Sequence, residues 1–208
     1  MQVTEFVTVV QRRKLTIDSR LFPVMAPLFA IETHMSMEER VALGALAMKL
    51  PMRFVACEIG SYIGASASFF GAAASFKEGI VHCVDTWDNR AMDPEPPRDT
   101  YAEFLNNTQR FQPYIVPHRG EASAVASAIP SELDALFIDG DHSYKMVKLD
   151  LRVYGPRIKP GGFLLLHDCK VESVKRALDE YVLTHHLIIV GTTQNLCTFR
   201  VPNKSKED

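Results

Sequence analysis

The feature that most constrains this chain is an alternation, from Met52 onward, of short apolar runs with longer segments of helical periodicity. Short apolar runs bounded by turn residues are typical of buried strands, and strands that alternate with helices are typical of a parallel sheet covered on both faces. Five such runs are each followed by a helical segment or by turn residues: residues 54–59, 80–87, 114–118, 133–138 and 163–166. The sequence therefore predicts an α/β fold around a mostly parallel sheet.

The C-terminal part of the chain predicts a different strand connection. After a helix predicted around residues 174–182, two more apolar runs, 186–190 and 196–201, are separated only by residues 191–195. A connection this short cannot make a parallel crossover, so the last strand is expected to be antiparallel to its neighbour. Upstream, the stretch 159–162 (KPGG) is expected to end the helix that precedes the fifth strand.

The first 50 residues lack this alternation. Ser36 and Glu39 form a capping-box pattern at the start of a predicted helix that ends before Pro51. The stretch 88–100 follows the second strand, where loops border the ligand crevice of such sheets, and a flexible lid and a plain surface loop are both open. We expect an N-terminal helical extension or lid over 1–51, an α/β domain over 52–201 and a polar tail over 202–208.

Composition excludes several classes of protein. The formal charge of −2 argues against a strongly cationic nucleic-acid binder. No apolar stretch reaches the roughly 18 to 20 residues of a membrane span, and residues 1–10 lack the basic segment of a secretory signal, so a cytoplasmic protein is expected. The apolar segment 21–31 offers surface that a second subunit could cover, which leaves a homo-oligomer open. The widely spaced cysteines are interpreted as buried free thiols: Cys57, Cys83, Cys169 and Cys197.

Polar residues and glycines follow each of the five predicted parallel strands. In an open parallel sheet, ligands bind outside the carboxyl ends of the strands, so these residues are the candidates for chemistry. They are Glu58 to Gly64, then Asp85-Thr86-Trp87, Gly120-Glu121-Ala122, Asp139 to His142, and His167-Asp168.

The first two of these segments predict a nucleoside site. Gly60 and Gly64 predict a tight turn that lets backbone N–H groups approach a ligand, and Asp85 is placed to accept hydrogen bonds from both hydroxyls of a ribose. The G-x-G-x-x-G fingerprint of dinucleotide sites is missing, and Glu58 suits a cationic amino-acid moiety better than a pyrophosphate. An ordinary strand-to-helix turn is the alternative interpretation of the two glycines.

Taken together, five segments resemble the class I S-adenosylmethionine-dependent methyltransferases. The similar branch is that of small-molecule O-methyltransferases related to catechol and caffeoyl-CoA O-methyltransferases, to bacterial macrolide-sugar O-methyltransferases and to cephalosporin hydroxylase relatives. The segments are 58–66 (EIGSYIGAS), 84–86 (VDT), 120–123 (GEAS), 137–142 (FIDGDH) and 160–162 (PGG). The resemblance implies a Rossmann-like doubly wound seven-stranded sheet of order 3-2-1-4-5-7-6, mostly parallel with an antiparallel last strand and with helices on both faces. It also makes 52–201 the S-adenosylmethionine-binding domain.

The resemblance implies a cofactor role for each matching position. Glu58, Gly60 and Gly64 would line the methionine end, Asp85 would hold the ribose, and Glu121 with its neighbour would border the adenine. Trp87 would pack on the adenine or the acceptor, or be a packing residue of the protein. The full set is Glu58, Gly60, Ser61, Gly64, Asp85, Thr86, Trp87, Glu121, Ala122 and Asp139.

Methyl transfer from a sulfonium needs alignment of the acceptor and a way to remove its proton. The resemblance implies that His142, Asp139 and Asp141 are catalytic, and that a divalent metal, magnesium, manganese or another, binds Asp139, His167 and Asp168. Because His167 replaces a carboxylate, the site favours a softer ion than magnesium. Three interpretations stay open. His167 is a ligand, or it is a supporting or base residue beside a metal held by Asp139, Asp141 and Asp168, or the site has no metal. His142 is a general base or caps the helix that follows it.

The leading hypothesis is an S-adenosylmethionine-dependent O-methyltransferase that acts on a hydroxyl of a small molecule, such as a sugar or a secondary metabolite, with no nucleic-acid or membrane partner. A nicotinamide-dependent oxidoreductase is the first alternative, and the missing fingerprint and the antiparallel last strand argue against it. A catalytically silent nucleoside-binding protein is the second.

Overall fold

The computed structural model describes residues 21–90 and 96–203. Residues 1–20, 91–95 and 204–208 lie outside the described part. The secretory-signal prediction for residues 1–10 therefore lies outside it too, together with parts of the predicted extension, of the loop 88–100 and of the polar tail.

Seven strands form one sheet in the order β3-β2-β1-β4-β5-β7-β6. Strands β1 to β5 run parallel, and β7 is antiparallel to both β5 and β6. This confirms the predicted strand order and the antiparallel last strand. The strands are β1 (Val55–Ile59), β2 (Ile80–Asp85), β3 (Ile115–Arg119), β4 (Leu133–Ile138), β5 (Ile158–Leu166), β6 (Ile188–Thr193) and β7 (Leu196–Arg200).

Helices cover both faces of the sheet, as the apolar parallel strands require. They are α1 (Phe22–Met25), α2 (Met37–Ala47), α3 (Ala65–Lys77), α4 (Tyr101–Thr108), α5 (Ala122–Val125), α6 (Tyr144–Tyr154) and α7 (Glu172–His185). Short 3₁₀ turns occupy Ala26–Ala30, Gln109–Tyr114, Ala126–Ala128 and Gly155–Arg157. No helix in the described ranges combines the length and the apolar character that crossing a membrane would require.

Alternate side chains of the central strands enter two separate cores. In β5, Leu165 packs into the core beneath α1 to α4, whereas Leu164 and Leu166 pack into the core beneath α5 to α7. Successive side chains of a strand point to opposite faces, so a strand with helices on both sides needs an uninterrupted apolar run. This accounts for the runs without polar alternation that predicted the sheet.

The segment 21–31 does not offer the free apolar surface that the sequence predicts for it. Leu21, Met25 and Leu28 are buried in the core beneath α3, so one side of the apolar segment 21–31 packs against the protein's own core. The large exposed apolar side chains lie elsewhere, chiefly Ile188, Ile189 and Val190 on the edge strand β6.

Two predicted boundaries are wrong for local reasons. Strand β2 ends at Asp85 because Trp87 adopts a left-handed φ of 53° and leaves the ladder. The stretch 159–162 does not separate α6 from the strand, since β5 already begins at Ile158. Its register with β4 is irregular there, as expected for a strand that contains Pro and a glycine at positive φ.

The interpretation of four free thiols is also wrong. Cys169 and Cys197 are joined in a disulfide, with Cα atoms 6.1 Å apart, and only Cys57 and Cys83 are buried free thiols among the described residues. The cause is the antiparallel register, which places Cys197 opposite Leu166 and so beside the turn that follows β5. Sequence separation alone could not show this proximity.

Candidate active site

The loops after five parallel strands meet at one edge of the sheet. Backbone hydrogen bonds continue the ladder beyond the strand ends and join these loops to one another. They run from Gly60 N–H to the Val84 carbonyl (2.9 Å), Gly120 N–H to Asp85 (2.8 Å), Asp139 N–H to Ile59 (2.8 Å) and His167 N–H to Ile138 (3.0 Å). The predicted site residues are therefore fixed to the rigid part of the fold.

The backbone conformation at positions 60 and 64 requires glycine. Their φ angles are +85° and +87°, in the left-handed region that favours glycine. A Cβ atom at Gly60 would lie 2.2 Å from the carbonyl oxygen of Asp139, so only glycine lets the loops after β1 and β4 approach this closely. Gly64 is the N-cap of α3. The predicted tight turn is confirmed, and the close approach at Gly60 is to the protein's own backbone.

Asp85 fastens the loop after β1 to the end of β2. Its carboxylate accepts hydrogen bonds from the backbone N–H groups of Tyr62 (2.8 Å) and Trp87 (2.6 Å). Burial raises the pKa of Asp85, and these hydrogen bonds oppose that shift. Asp85 also lines a cavity over this edge of the sheet.

Glu58 is fully buried beneath the same turn. Its Oε2 accepts a hydrogen bond of 2.6 Å from the Ser61 hydroxyl, while Oε1 has no hydrogen-bond partner among the described residues. Burial raises the pKa of Glu58 to about 7. Neither Glu58 nor Ser61 lines the cavity, and both lie behind its wall.

One cavity of about 310 Å³ lies over this edge of the sheet. Of the predicted cofactor residues, Gly60, Asp85, Thr86, Glu121, Ala122 and Asp139 line it. Its other charged lining residues are Asp88, Arg90, Asp141 and Asp150. Six carboxylates therefore face one guanidinium group among the described lining residues.

Trp87 does not line this cavity. Its side chain is fully buried, its indole N–H donates to the Tyr62 carbonyl at 2.8 Å, and its ring packs against Tyr101 and Phe104. Of the alternatives left open by the sequence, the structure shows a packing residue that braces the loop after β2 against α4.

Three predicted catalytic or metal-binding side chains converge beside the cavity. Asp139, His142 and Asp168 each offer a donor atom within 4.8 Å of the others. His142 Nε2 lies 3.7 Å from Asp139 Oδ1 and 3.4 Å from Asp168 Oδ2. Hydrogen bonding to Asp139 raises the pKa of His142. Asp141 lies outside this group, and its Oδ1 accepts a hydrogen bond from the Ser143 N–H at 2.7 Å.

His142 does not cap the following helix. The N-cap of α6 is Ser143, whose hydroxyl oxygen accepts a hydrogen bond from Met146 N–H. The imidazole of His142 is instead partly exposed beside the two carboxylates. Its placement is consistent with the base role and removes the capping alternative.

His167 lies behind the group and not within it. It is 4% exposed, with Nδ1 3.1 Å from Asp139 and 3.4 Å from Asp168, and Nε2 3.4 Å from Glu39. Burial alone would lower the pKa of His167, but its hydrogen bonds to Asp139 and Asp168 raise it to about 11. The side chains that could together hold a metal ion are Asp139, His142 and Asp168, and His167 is not in this group.

Sequence reasoning missed two acidic residues of this region. Glu39 was recognised only through its capping box, which the structure confirms, yet its Oε1 also faces His167 and accepts from the Asn195 N–H at 2.7 Å. Asp150 lies one turn before the end of α6 and gave no signal at all. A single acid on an amphipathic helix is normally a solvated residue, whereas this one is buried in the cavity wall.

Comparison with known proteins assigns this fold and site to a family. The chain belongs to the methyltransferase domain family, whose sequence model matches residues 57–169. A curated relative, the uncharacterized protein y4gI of Sinorhizobium fredii, is 26% identical over 126 residues, which are 59% of this chain and 14% of that protein. The chain thus spans a small part of the relative's length.

Solved structures share the whole fold at low sequence identity. The O-methyltransferase TomG from Streptomyces achromogenes, which is involved in tomaymycin synthesis and was solved with S-adenosylmethionine, is 13% identical with a TM-score of 0.63, covering 98% of this chain and 100% of that chain. CalS11, a TDP-rhamnose 3′-O-methyltransferase of calicheamicin biosynthesis, is 16% identical with a TM-score of 0.63, covering 96% of both chains. The predicted methyltransferase family and its Rossmann-like sheet are confirmed.

Proposed function

We propose that this protein transfers a methyl group from S-adenosylmethionine to a hydroxyl group of a small molecule. The observation that carries the proposal is the continuity of the site. Asp85, Glu121 and Asp139 line the same cavity, and Asp139 also belongs to the group formed with His142 and Asp168. A nucleoside-binding region and a proton-accepting group thus share one residue.

The charges of the cavity support a cationic ligand. Six carboxylates line it against Arg90, whose guanidinium pairs with Asp88 at 3.2 Å. S-adenosylmethionine carries a sulfonium and an ammonium group, which this field attracts, whereas a pyrophosphate would be repelled by it. The same field argues against the nicotinamide-dependent oxidoreductase.

Similarity to proteins of known name supports the reaction type. TomG was solved with S-adenosylmethionine, and both TomG and CalS11 are O-methyltransferases; CalS11 acts on a sugar nucleotide. We therefore propose a sugar or a secondary metabolite as the acceptor, bound above Asp139, His142 and Asp168.

The residues of the chain divide the chemistry between them. The bound sulfonium supplies an activated methyl group, so the protein has to align the acceptor oxygen and remove its proton. Without a bound ion, the Nε2–H of neutral His142 faces Asp139 and Asp168, so His142 takes the acceptor proton at Nδ1, and the two carboxylates stabilise the imidazolium that results. Because His142 is partly exposed, the proton can pass from it to solvent after each turnover.

The same three side chains fit a divalent cation. Two carboxylates and one imidazole with donor atoms within 4.8 Å of one another are a reasonable set for manganese, iron or zinc. A bound ion would supply a Lewis acid that lowers the pKa of the acceptor hydroxyl, and His142 would then be a ligand and not the base. The proposed metal set is Asp139, His142 and Asp168, in place of the one containing His167.

Calorimetry with S-adenosylhomocysteine and with NAD tests the cofactor proposal. We expect micromolar binding of S-adenosylhomocysteine and no measurable binding of NAD. Tight NAD binding without S-adenosylhomocysteine binding would overturn the proposed function. Methyl transfer from labelled S-adenosylmethionine to a panel of sugar nucleotides and phenols then separates an enzyme from a silent nucleoside-binding protein.

Exhaustive chelation tests the metal proposal. We expect loss of turnover, recovery on addition of Mn²⁺, and nearly unchanged affinity for S-adenosylhomocysteine. Full turnover after chelation would exclude the metal and leave His142 as the base.

The proposal extends to the organisation and setting of the protein. We propose that residues 1–51 shape the acceptor pocket, that 52–201 form the cofactor-binding domain and that 202–208 are a tail. The near-neutral charge supports a small-molecule partner and not a nucleic acid. A cytoplasmic location and a homo-oligomeric state stay predictions, to be checked by fractionation and by light scattering.

A further inference from the structure

Asp150 is a buried acid that the proposed chemistry does not use. It lies on the inner face of α6, is only 4% exposed and is one of the residues that line the cavity. Its Oδ1 atom has no hydrogen-bond partner among the residues that the structure describes. A buried carboxylate without a donor destabilises a fold, so its position in a cavity wall indicates that a ligand supplies the donor.

The charges around Asp150 indicate what kind of hydrogen-bond donor the ligand must present. Burial, followed by the charges of Asp141 and Glu121, raises the pKa of Asp150 to about 7. Arg90, the one cationic residue among the described lining residues, belongs to the loop after β2 and pairs there with Asp88. Among the described residues, the wall formed by α6 and the loop after β3 thus offers carboxylates and no cation. A ligand group that fits this wall must present N–H or O–H donors.

The order of the lining residues along the cavity identifies the ligand group that supplies the donor to Asp150. Asp85, after β2, is the proposed ribose residue, and Gly120 to Ala122, after β3, lie on the next strand outward and border the proposed base. Asp150 lines the same cavity from α6, the helix that packs on α5. The donor that adenine carries away from its ribose is the exocyclic 6-amino group.

We infer that Asp150 recognises the adenine ring, with its carboxylate accepting a hydrogen bond from the 6-amino group. The inference rests on the proposed function, because it takes the nucleoside of S-adenosylmethionine as the ligand. It goes further by assigning to α6 a residue that selects the base. Asp150 does not reach the reacting atoms, so its effect is on affinity and on the choice of nucleoside.

A cycle of two protein forms and two ligands tests the inference. The protein is wild type or Asp150→Leu, and the ligand is S-adenosylhomocysteine or its analogue with hydrogen in place of the 6-amino group. We expect wild type to bind the 6-amino ligand at least about tenfold more tightly, as for a hydrogen bond to a charged acceptor, and Asp150→Leu to bind both about equally. Asp150→Asn, which keeps a neutral acceptor, should give an intermediate ratio.

The controls separate this inference from the proposed function. Asp179→Asn makes the same chemical change at an exposed position of α7, and we expect it to keep the wild-type ratio. Circular dichroism and thermal unfolding establish that each variant is folded. If wild type binds S-adenosylhomocysteine and Asp150→Leu keeps the wild-type ratio, the inference is wrong and the proposed function stands. If wild type binds neither ligand, both are overturned.

Discussion

At the residue scale, the site depends on short contacts between a few charged groups. In the proposed mechanism His142 meets the acceptor, because its side chain is partly exposed. Its Nε2 lies 3.7 Å from Asp139 and 3.4 Å from Asp168. Hydrogen bonding to Asp139 raises the pKa of His142 above its usual value. A stronger base removes a hydroxyl proton more readily, but the rate falls once the pH drops below that raised pKa.

We expect His142→Ala to lower kcat by roughly 10² or more, the usual contribution of a positioned base. Affinity for S-adenosylhomocysteine should not change, because His142 does not line the cavity. His186→Asn, at an exposed C-cap, is the matched control and should leave kcat unchanged. Steady-state rates together with calorimetry make the measurement, and an unchanged kcat in His142→Ala would remove His142 from the mechanism.

The roles of residues could be predicted from the sequence where a glycine marked a tight turn or a polar residue followed a strand. Gly60 and Asp85 follow strands and could be found from the sequence. Trp87 could not be oriented, because one left-handed residue decides whether its ring faces the cavity or the core. Asp150 and the second role of Glu39 arise only from tertiary burial, for which a single helical acid gives no signal.

At the element scale, α2 and β5 are joined through Glu39. Its Oε2 accepts from the Ser36 N–H at 2.7 Å and so caps α2, while Oε1 lies 3.4 Å from His167 at the end of β5. Hydrogen bonds from Asn195 and Ser36 lower the pKa of Glu39 although burial opposes the shift. The carboxylate thus places His167, and through it Asp139 and Asp168.

A pair of substitutions separates the two roles of Glu39. Ser36→Ala removes only the capping hydroxyl, so we expect a loss of about 1 kcal/mol in the free energy of unfolding with kcat unchanged. Glu39→Gln removes the anionic partner of His167 as well, and we expect kcat to fall several-fold with little change in cofactor affinity. Thermal unfolding and rate measurements provide the readouts. Equal effects of the two variants on kcat would show that Glu39 serves α2 alone.

The disulfide between Cys169 and Cys197 ties the turn after β5 to β7. We expect alkylation of the unfolded, unreduced protein to modify two cysteines, and alkylation after reduction to modify four. Because Cys57 and Cys83 are buried, neither should react in the folded protein. Mass spectrometry of the alkylated chains gives the count, and four modified cysteines without reductant would mean that the bond does not form in solution.

At the scale of the whole molecule, buried acids set the pH dependence of stability. Burial raises the pKa values of Glu58 and Asp150 to about 7, well above those of an unfolded chain. The folded state therefore keeps protons that the unfolded state has lost, and these groups make the free energy of unfolding fall as the pH rises from about 4 to 7.

We expect the ligand-free protein to unfold at a lower temperature at pH 8 than at pH 5.5. Asp150→Asn has no charge to bury, so the difference should shrink by about 2 to 4 °C, the shift that 1 kcal/mol gives in a protein of this size. Differential scanning calorimetry at both pH values checks this, with Asp179→Asn as the exposed control. A variant with the full wild-type pH dependence would show that the pKa of Asp150 is not raised in the folded protein.

The global fold was easier to predict than its contacts. The short link between β6 and β7 forces an antiparallel last strand, and five ordered motifs imply the strand order that the sheet shows. The position of residues 21–31 was not predictable, since an apolar helix is equally suited to its own core and to a partner. The same holds for Cys169 and Cys197, which only the sheet register brings together.

The contact between Glu39 and His167 has a consequence for recombining this protein with its relatives. An exchange of the N-terminal helices, intended to transplant acceptor preference, would also exchange the carboxylate that faces His167. A chimera would keep a working centre only if the donor segment brought an acid in the same place. Libraries of such chimeras should therefore keep an acidic residue at position 39.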